Sequence, residues 1–107
     1  MADTYKRLAA LRPANTNEAE LYDVPAAEYI VAVLYICNQD TVLRDYSVAL
    51  TDLTGAATGE DWIAYETDIQ PNITHKVVIS AGDGDTVRVQ ASIADKISFV
   101  LMGLEIT

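Results

Sequence analysis

The chain has 107 residues, half of them hydrophobic, and a formal charge of −9 from 7 Lys/Arg against 16 Asp/Glu. That length sets one domain with a modest core, because a chain this small buries only about two-thirds of its unfolded surface. The acidic balance speaks against a nucleic-acid binder, which needs positive surface to displace counterions, and equally against binding to anionic lipid. In chain order, the segment 4–12 (TYKRLAALR) fits a helix through Tyr5, Leu8 and Leu11, or else a loosely paired strand or arm. Residues 13–20 are polar and predict a loop. AELYDVP (19–25) predicts a short strand stopped by Pro25, and AEYIVAVLYICNQD (27–40) a long one rich in β-branched and aromatic residues.

LRDYSVALTDL (43–53) sets Tyr46, Val48 and Leu50 on one side and Asp45, Ser47 and Ala49 on the other, which predicts a strand with one wet face. A Gly/Thr loop (54–61) follows, and WIAYETDI (62–69) predicts a further strand. After a Pro-Asn turn, Ile73, Val77 and Ile79 keep period two in 70–80. AGDGD (81–85) reads as a tight hairpin turn, and TVRVQASI (86–93) alternates Val87, Val89 and Ala91 with Arg88, Gln90 and Ser92. ADK turns the chain again before ISFVLMGLEIT (97–107). Seven or eight short strands with turns about every ten residues predict an all-β fold, a single antiparallel β-sandwich. No strand alternates with a long helix, which argues against a parallel α/β sheet. The expected organisation is an N-terminal arm or edge segment (1–18) and a sandwich domain (19–107).

Charge is uneven along the chain. Residues 1–13 hold Lys6, Arg7 and Arg12 against Asp3, a balance of +2, so the other 94 residues carry −11. The three cations are candidates for an arm that docks on an acidic partner; a solvated edge strand would use them equally well, since Lys and Arg discourage unwanted pairing. Cys37 is the only cysteine. It permits no intrachain disulfide and is expected to be a small buried hydrophobe. The first residues lack the apolar stretch of a secretory signal, and the Tyr29–Cys37 run is far shorter than a membrane helix of roughly 20 residues. Both point to production in a cytoplasm without export.

Two segments are apolar on both sides. In 29–37, Ile30, Ala32, Leu34 and Ile36 oppose Tyr29, Val31, Val33, Tyr35 and Cys37; in 97–104, Ile97, Phe99 and Leu101 oppose Val100, Met102 and Leu104. A sandwich needs one apolar face per strand. The second would leave several hundred Å² of apolar surface, more than soluble monomers usually tolerate. Three covers are open: a loop or the N-terminal segment, a second subunit, or a small-molecule cavity. Six Tyr against one Phe favour the subunit, because Tyr joins a large apolar ring to a polar tip. The residues expected at that interface are Tyr29, Val31, Val33 and Tyr35, or Val100, Met102 and Leu104. Period two leaves open which side is core.

The order of these features resembles a family. ELYDVPAAEYIVAVLYICNQD is similar to the segment of small bacteriophage virion proteins that reads LYTVP, a short turn, an apolar strand and CN. VVISAGDGDTVRVQAS resembles their L-x-x-G-D-x-I-x-V turn, although AGDGDTV here is longer by a Gly-Asp pair, and ISFVLMGLEIT resembles their last strand with G-x-E-I. The resemblance spans about residues 19–107. It implies a β-sandwich of jelly-roll type, a homo-oligomer, commonly a trimer, and a place in the virion after synthesis in the host cytoplasm. The expected function is that of a capsid decoration (cement) protein touching the major capsid protein or other virion proteins. The alternative is a neck or tail accessory, or a tail module that binds carbohydrate or a receptor.

Candidate chemistry is sparse. Asp83, Asp85 and Asp95 suit a cation loop less well than a turn, since the further oxygen ligands and terminal Glu of an EF-hand are missing. His75, the only histidine, accompanies no G-x-S-x-G nucleophile motif. Glu60, Asp61 and Glu66 could pair as glycosidase carboxylates, but acidic pairs are frequent in so acidic a chain. The NIT sequence at 72–74 fits a glycosylation site that matters only in a secreted eukaryotic protein. The reading is therefore a non-enzyme with no cofactor and no metal, with Trp62 and Tyr65 as the one aromatic cluster suited to a glycan.

Overall fold

Among the described residues, alternating sequence becomes eight strands: β1 (Lys6–Leu11), β2 (Ala19–Asp23), β3 (Tyr29–Asn38), β4 (Arg44–Asp52), β5 (Trp62–Ile69), β6 (Thr74–Ala81), β7 (Asp85–Ala91) and β8 (Ile97–Ile106). The computed structural model describes residues 5–52 and 56–106. One sheet, A, has the order β1-β8-β3-β6, and the other, B, the order β2-β7-β4-β5. All neighbours are antiparallel. The fold is the expected all-β sandwich. The segment 4–12, open between helix and strand, supplies edge strand β1.

The core lies between the sheets. Sheet A contributes Ile30, Leu34 and Ile36 from β3, Ile79 from β6, and Ile97, Phe99 and Leu101 from β8. Sheet B contributes Tyr46, Val48, Ile69, Val87 and Val89. The Tyr46 and Phe99 rings meet edge to face across the gap, centroids 6.4 Å apart, a favoured geometry for aromatic pairs. Each large side chain buried here contributes about 1.5–3 kcal/mol. Gly103 of β8 is required by crowding: a Cβ there would lie 2.6 Å from the Cα of Ala32 on β3.

Connectivity departs from the sequence expectation. Residues 81–85 were expected to form a hairpin, but β6 belongs to sheet A and β7 to sheet B. The turn is real, with Asp85 N–H donating to Gly82 O (3.0 Å) and Gly84 at φ 82°. It is an arch between layers, because β7 finds its partners in β2 and β4. Only β4 and β5 are sequence neighbours that also pair.

Two burial expectations also fail. β4 has no wet face along its middle: Ser47, Ala49 and Thr51 are buried along with Tyr46 and Val48. The cause is local cover. Ala49 sits opposite Trp62 on one neighbour and Arg88 on the other, and Ser47 Oγ accepts the Glu66 N–H at 2.9 Å. Small side chains on a central strand sink beneath larger neighbours. Cys37, expected in the core, is half-buried. It has the parity of Tyr35 on β3, so it points away from the core that Ile36 enters.

Asn38, where β3 ends, is fully buried and ties three segments together. Its Nδ2 donates to Val42 O and Ile69 O, both at 3.0 Å, and its Oδ1 accepts Asp40 N–H at 2.9 Å. With every polar atom paired, its burial is affordable.

Candidate functional site: the outer face of sheet A

Register decides which residues meet on the outside of sheet A. Tyr29 lies opposite Ile106, Val31 opposite Leu104, Val33 opposite Met102 and Tyr35 opposite Val100. Directly opposed side chains share a face. The two sets offered as alternatives therefore form one surface. On β6, Ser80, Val78, Lys76 and Thr74 continue the rows from Val31, Val33, Tyr35 and Cys37. On β1, Arg7 and Ala10 extend them beyond Met102 and Val100.

This surface is apolar and open. Val78 is 74% exposed, Tyr29 49% and Val31 45%, while Val33, Tyr35, Val100, Met102 and Leu104 are half-buried against one another. Among the described residues no acidic side chain occupies these rows and the only charges are Arg7 and Lys76; the Lys76 ammonium leans over the Tyr35 ring, 5.8 Å from its centroid, within cation–π range. Tyr5, ahead of β1, is the point where the N-terminal segment reaches this face. Although Tyr5 is exposed, its hydroxyl titrates above its ordinary range, through partial desolvation first and then through the neighbouring Tyr35. A shallow depression of about 320 Å³ lies beside β1 and β8, lined by Leu11, Arg12, Gln39 and Phe99 among others.

The basic triplet is divided. Lys6 pairs with Glu105 at 3.1 Å, Arg12 donates to Gln39 Oε1 at 3.2 Å, and Arg7 stands exposed on the outer face. Glu105 also accepts the Tyr22 hydroxyl, so a carboxylate on β8 joins sheet A to β2 of sheet B. The Tyr22 hydrogen bond, reinforced by Lys6, holds the Glu105 carboxyl below its usual range. Tyr22 is pushed well above the usual phenol range, by burial first and then by Glu105.

The remaining candidates fall elsewhere. His75 Nδ1 lies 2.9 Å from the Tyr46 hydroxyl at the rim of the core. Asp85 Oδ2 accepts the Gly82 N–H within its own turn, and Asp61 Oδ2 accepts the Thr58 N–H and hydroxyl. Among the described residues no group of three or more His, Cys, Asp or Glu side chains is placed to hold a metal. The outer face of sheet B carries a polar groove of about 450 Å³, lined by Thr16, Asp45, Ser47, Tyr65, Glu66 and Gln90 among others. Tyr65 is 60% exposed at its edge and is backed by Trp62, with centroids 5.1 Å apart. The sequence reading found this aromatic pair. It missed the groove, whose lining comes from four separate segments.

Compared with known proteins, the chain matches no family model and no curated relative.

Proposed function

We propose that this protein is a structural assembly subunit, and specifically a bacteriophage virion protein of the decoration (cement) kind. It acts by burying the outer face of sheet A against protein. The observation that carries the assembly reading is that face: eight apolar or tyrosine side chains from β3 and β8 in continuous register, with no acidic residue among those described there, in a chain of net charge −9. Apolar surface of this kind supports a reading as an interaction site. Its Tyr content and its two flanking cations suit an apolar partner surface rimmed with carboxylates. The virion assignment rests on the resemblance of residues 19–107. The strand orders β1-β8-β3-β6 and β2-β7-β4-β5 are compatible with the jelly roll which that resemblance implies. Particle stability would rise by mass action as copies occupy their sites.

The test is co-purification with intact phage particles and a count of copies per major capsid subunit. Hundreds of copies support cement, and a dozen or fewer move the protein to the neck or tail. Retention of the Met102→Lys variant on particles at wild-type level would overturn the role of the sheet A face.

A second reading is favoured by the polar groove with Tyr65 at its edge: a module that binds neutral glycan on sheet B. Binding to a glycan array that Trp62→Ala abolishes would support it, and an array without signal would remove it.

A further inference from the structure

Each sheet of an open sandwich has two edge strands, and an edge offers unpaired N–H and C=O groups to any passing strand. Here the edges are β1 and β6 in sheet A, and β2 and β5 in sheet B. Three are guarded. β1 carries a bulge between Arg7 and Ala9 and the charges of Lys6 and Arg7. β2 has only five residues, a bulge between Glu20 and Tyr22, and ends at Asp23. The pairing of β5 with β4 breaks register twice, Glu66 adopts φ 46°, and Glu66 and Asp68 are exposed. Bulges, shortness and charge are the devices that keep edges from pairing.

β6 has neither a bulge nor shortness, and only a single charge. Thr74–Ala81 pairs with β3 through eight consecutive residues without a register shift. It contains no proline and one formal charge, Lys76, whose ammonium lies over Tyr35 on the neighbouring strand and so away from the open edge. Its central outward residue, Val78, has the largest exposed fraction of the exposed large hydrophobic side chains.

We propose that β6 is a pairing edge and that its occupant is a second copy of this chain, added antiparallel across a two-fold axis at Val78. The strand is self-complementary in that register. Sheet faces stay matched only if paired positions share parity. An axis at Val78 sets Val78 against Val78, Val77 against Ile79 and Lys76 against Ser80. An axis at Lys76 would oppose the two ammonium groups directly, which is unfavourable. The pairing joins two A sheets into one of eight strands and makes their outer apolar faces continuous. This rests on the assembly reading above and deepens it: the edge makes the pair, and the enlarged face meets the virion. The symmetry is two-fold, unlike the trimer that the family resemblance implies.

The test is sedimentation equilibrium on the full chain, wild type against Ser80→Glu and Ser80→Lys, both at an exposed position. In the proposed register Ser80 faces the other copy's Lys76 twice per dimer. Two cross-strand charge pairs shift the dissociation constant by about 2- to 30-fold. Ser80→Glu is expected to tighten the dimer and Ser80→Lys to weaken it. If association runs through the outer face alone, both added charges weaken it; that result removes the edge proposal and leaves the assembly reading standing. A wild-type chain monomeric at ~100 µM, or a trimer, overturns the proposed pairing, while docking on particles is still decided by Met102→Lys. As a second arm, Val78→Cys in a Cys37→Ser background should give an interchain disulfide on mild oxidation, and Thr74→Cys in the same background should not. Equal cross-linking at both positions counts against the register.

Discussion

Sheets A and B share one core and present opposite surfaces. Outside sheet A, β3 and β8 present the exposed Tyr29 and Val31 and the half-buried Val33, Val100, Met102 and Leu104, with the cations Arg7 and Lys76 at the flanks. Outside sheet B, the equivalent layer is polar: Arg88 pairs with Glu18 and lies 3.7 Å from Glu20, Thr86 donates to Asp23 at 2.8 Å, and Asp45 stands opposite Asp68. The inner halves of both sheets obey the same requirement, to exclude water from a shared core. The outer halves are free of it, so their difference reports what each side meets. Sheet B has a polar outer surface and sheet A an apolar one, which is the asymmetry the proposed assembly role requires.

The sharpest break of this contrast is made within one strand. Leu34→Ala, facing the core, should cost about 2–5 kcal/mol. Val31→Ser, outside the same strand, should change monomer stability by within about 0.5 kcal/mol and yet reduce association. Urea unfolding followed by the fluorescence of Trp62 reads the first, and light scattering the second. If Val31→Ser unfolded the chain, the outer face would be part of the core.

Sheet B supplies the next comparison. The Arg88 side chain is only 13% exposed and the Glu18 side chain 19%. Arg88→Ala should therefore destabilise by about 1–3 kcal/mol by stranding a part-buried carboxylate. Association should be unchanged once folded protein is selected, and weakened self-association would show that sheet B also lies in the interface.

The smallest effect concerns the tie between the sheets. Glu105→Gln should cost about 1 kcal/mol at neutral pH. The Glu105 carboxyl titrates below its unfolded value, so the unfolded chain binds the extra proton first as pH falls. The stabilisation is complete above about pH 4.3 and is lost as pH drops through the native value. Wild type and variant should converge in acid. At the alkaline end Tyr22 holds its proton in the native state beyond the ordinary 10.0. Stability should therefore fall as pH rises past that point, and Tyr22→Phe should flatten the slope. Parallel pH–stability curves for wild type and Glu105→Gln would show that this carboxylate is not the source.

The strands themselves were legible in the sequence. Trp62–Ile69 matches its expected bounds, and Tyr29–Asn38 and Ile97–Ile106 differ by a residue or two at the ends. Alternation and turn residues are local signals. The sheet that each strand joins is not local: β1 pairs with β8 across almost the whole chain. That is why residues 81–85 read as a hairpin and fold as an arch. The burial of Ser47 and Ala49 was hidden for a related reason, since their cover comes from Trp62, Glu66 and Arg88 on other strands. The outer surface of sheet A was legible as residues and as an anomaly, a run too apolar for one core. Its merger into a single face needed the β3–β8 register, which period two does not supply.

Placing β8 between β1 and β3 has a consequence for biogenesis. During synthesis, β3 is complete some sixty residues before its principal partner emerges, and β1 waits longer still. Until Ile97–Ile106 inserts, two strands of sheet A have no neighbour between them. Folding is therefore governed by a late, long-range closure, and a ribosome stalled ahead of Ile97 would hold a sticky half-sheet that chaperones must shelter.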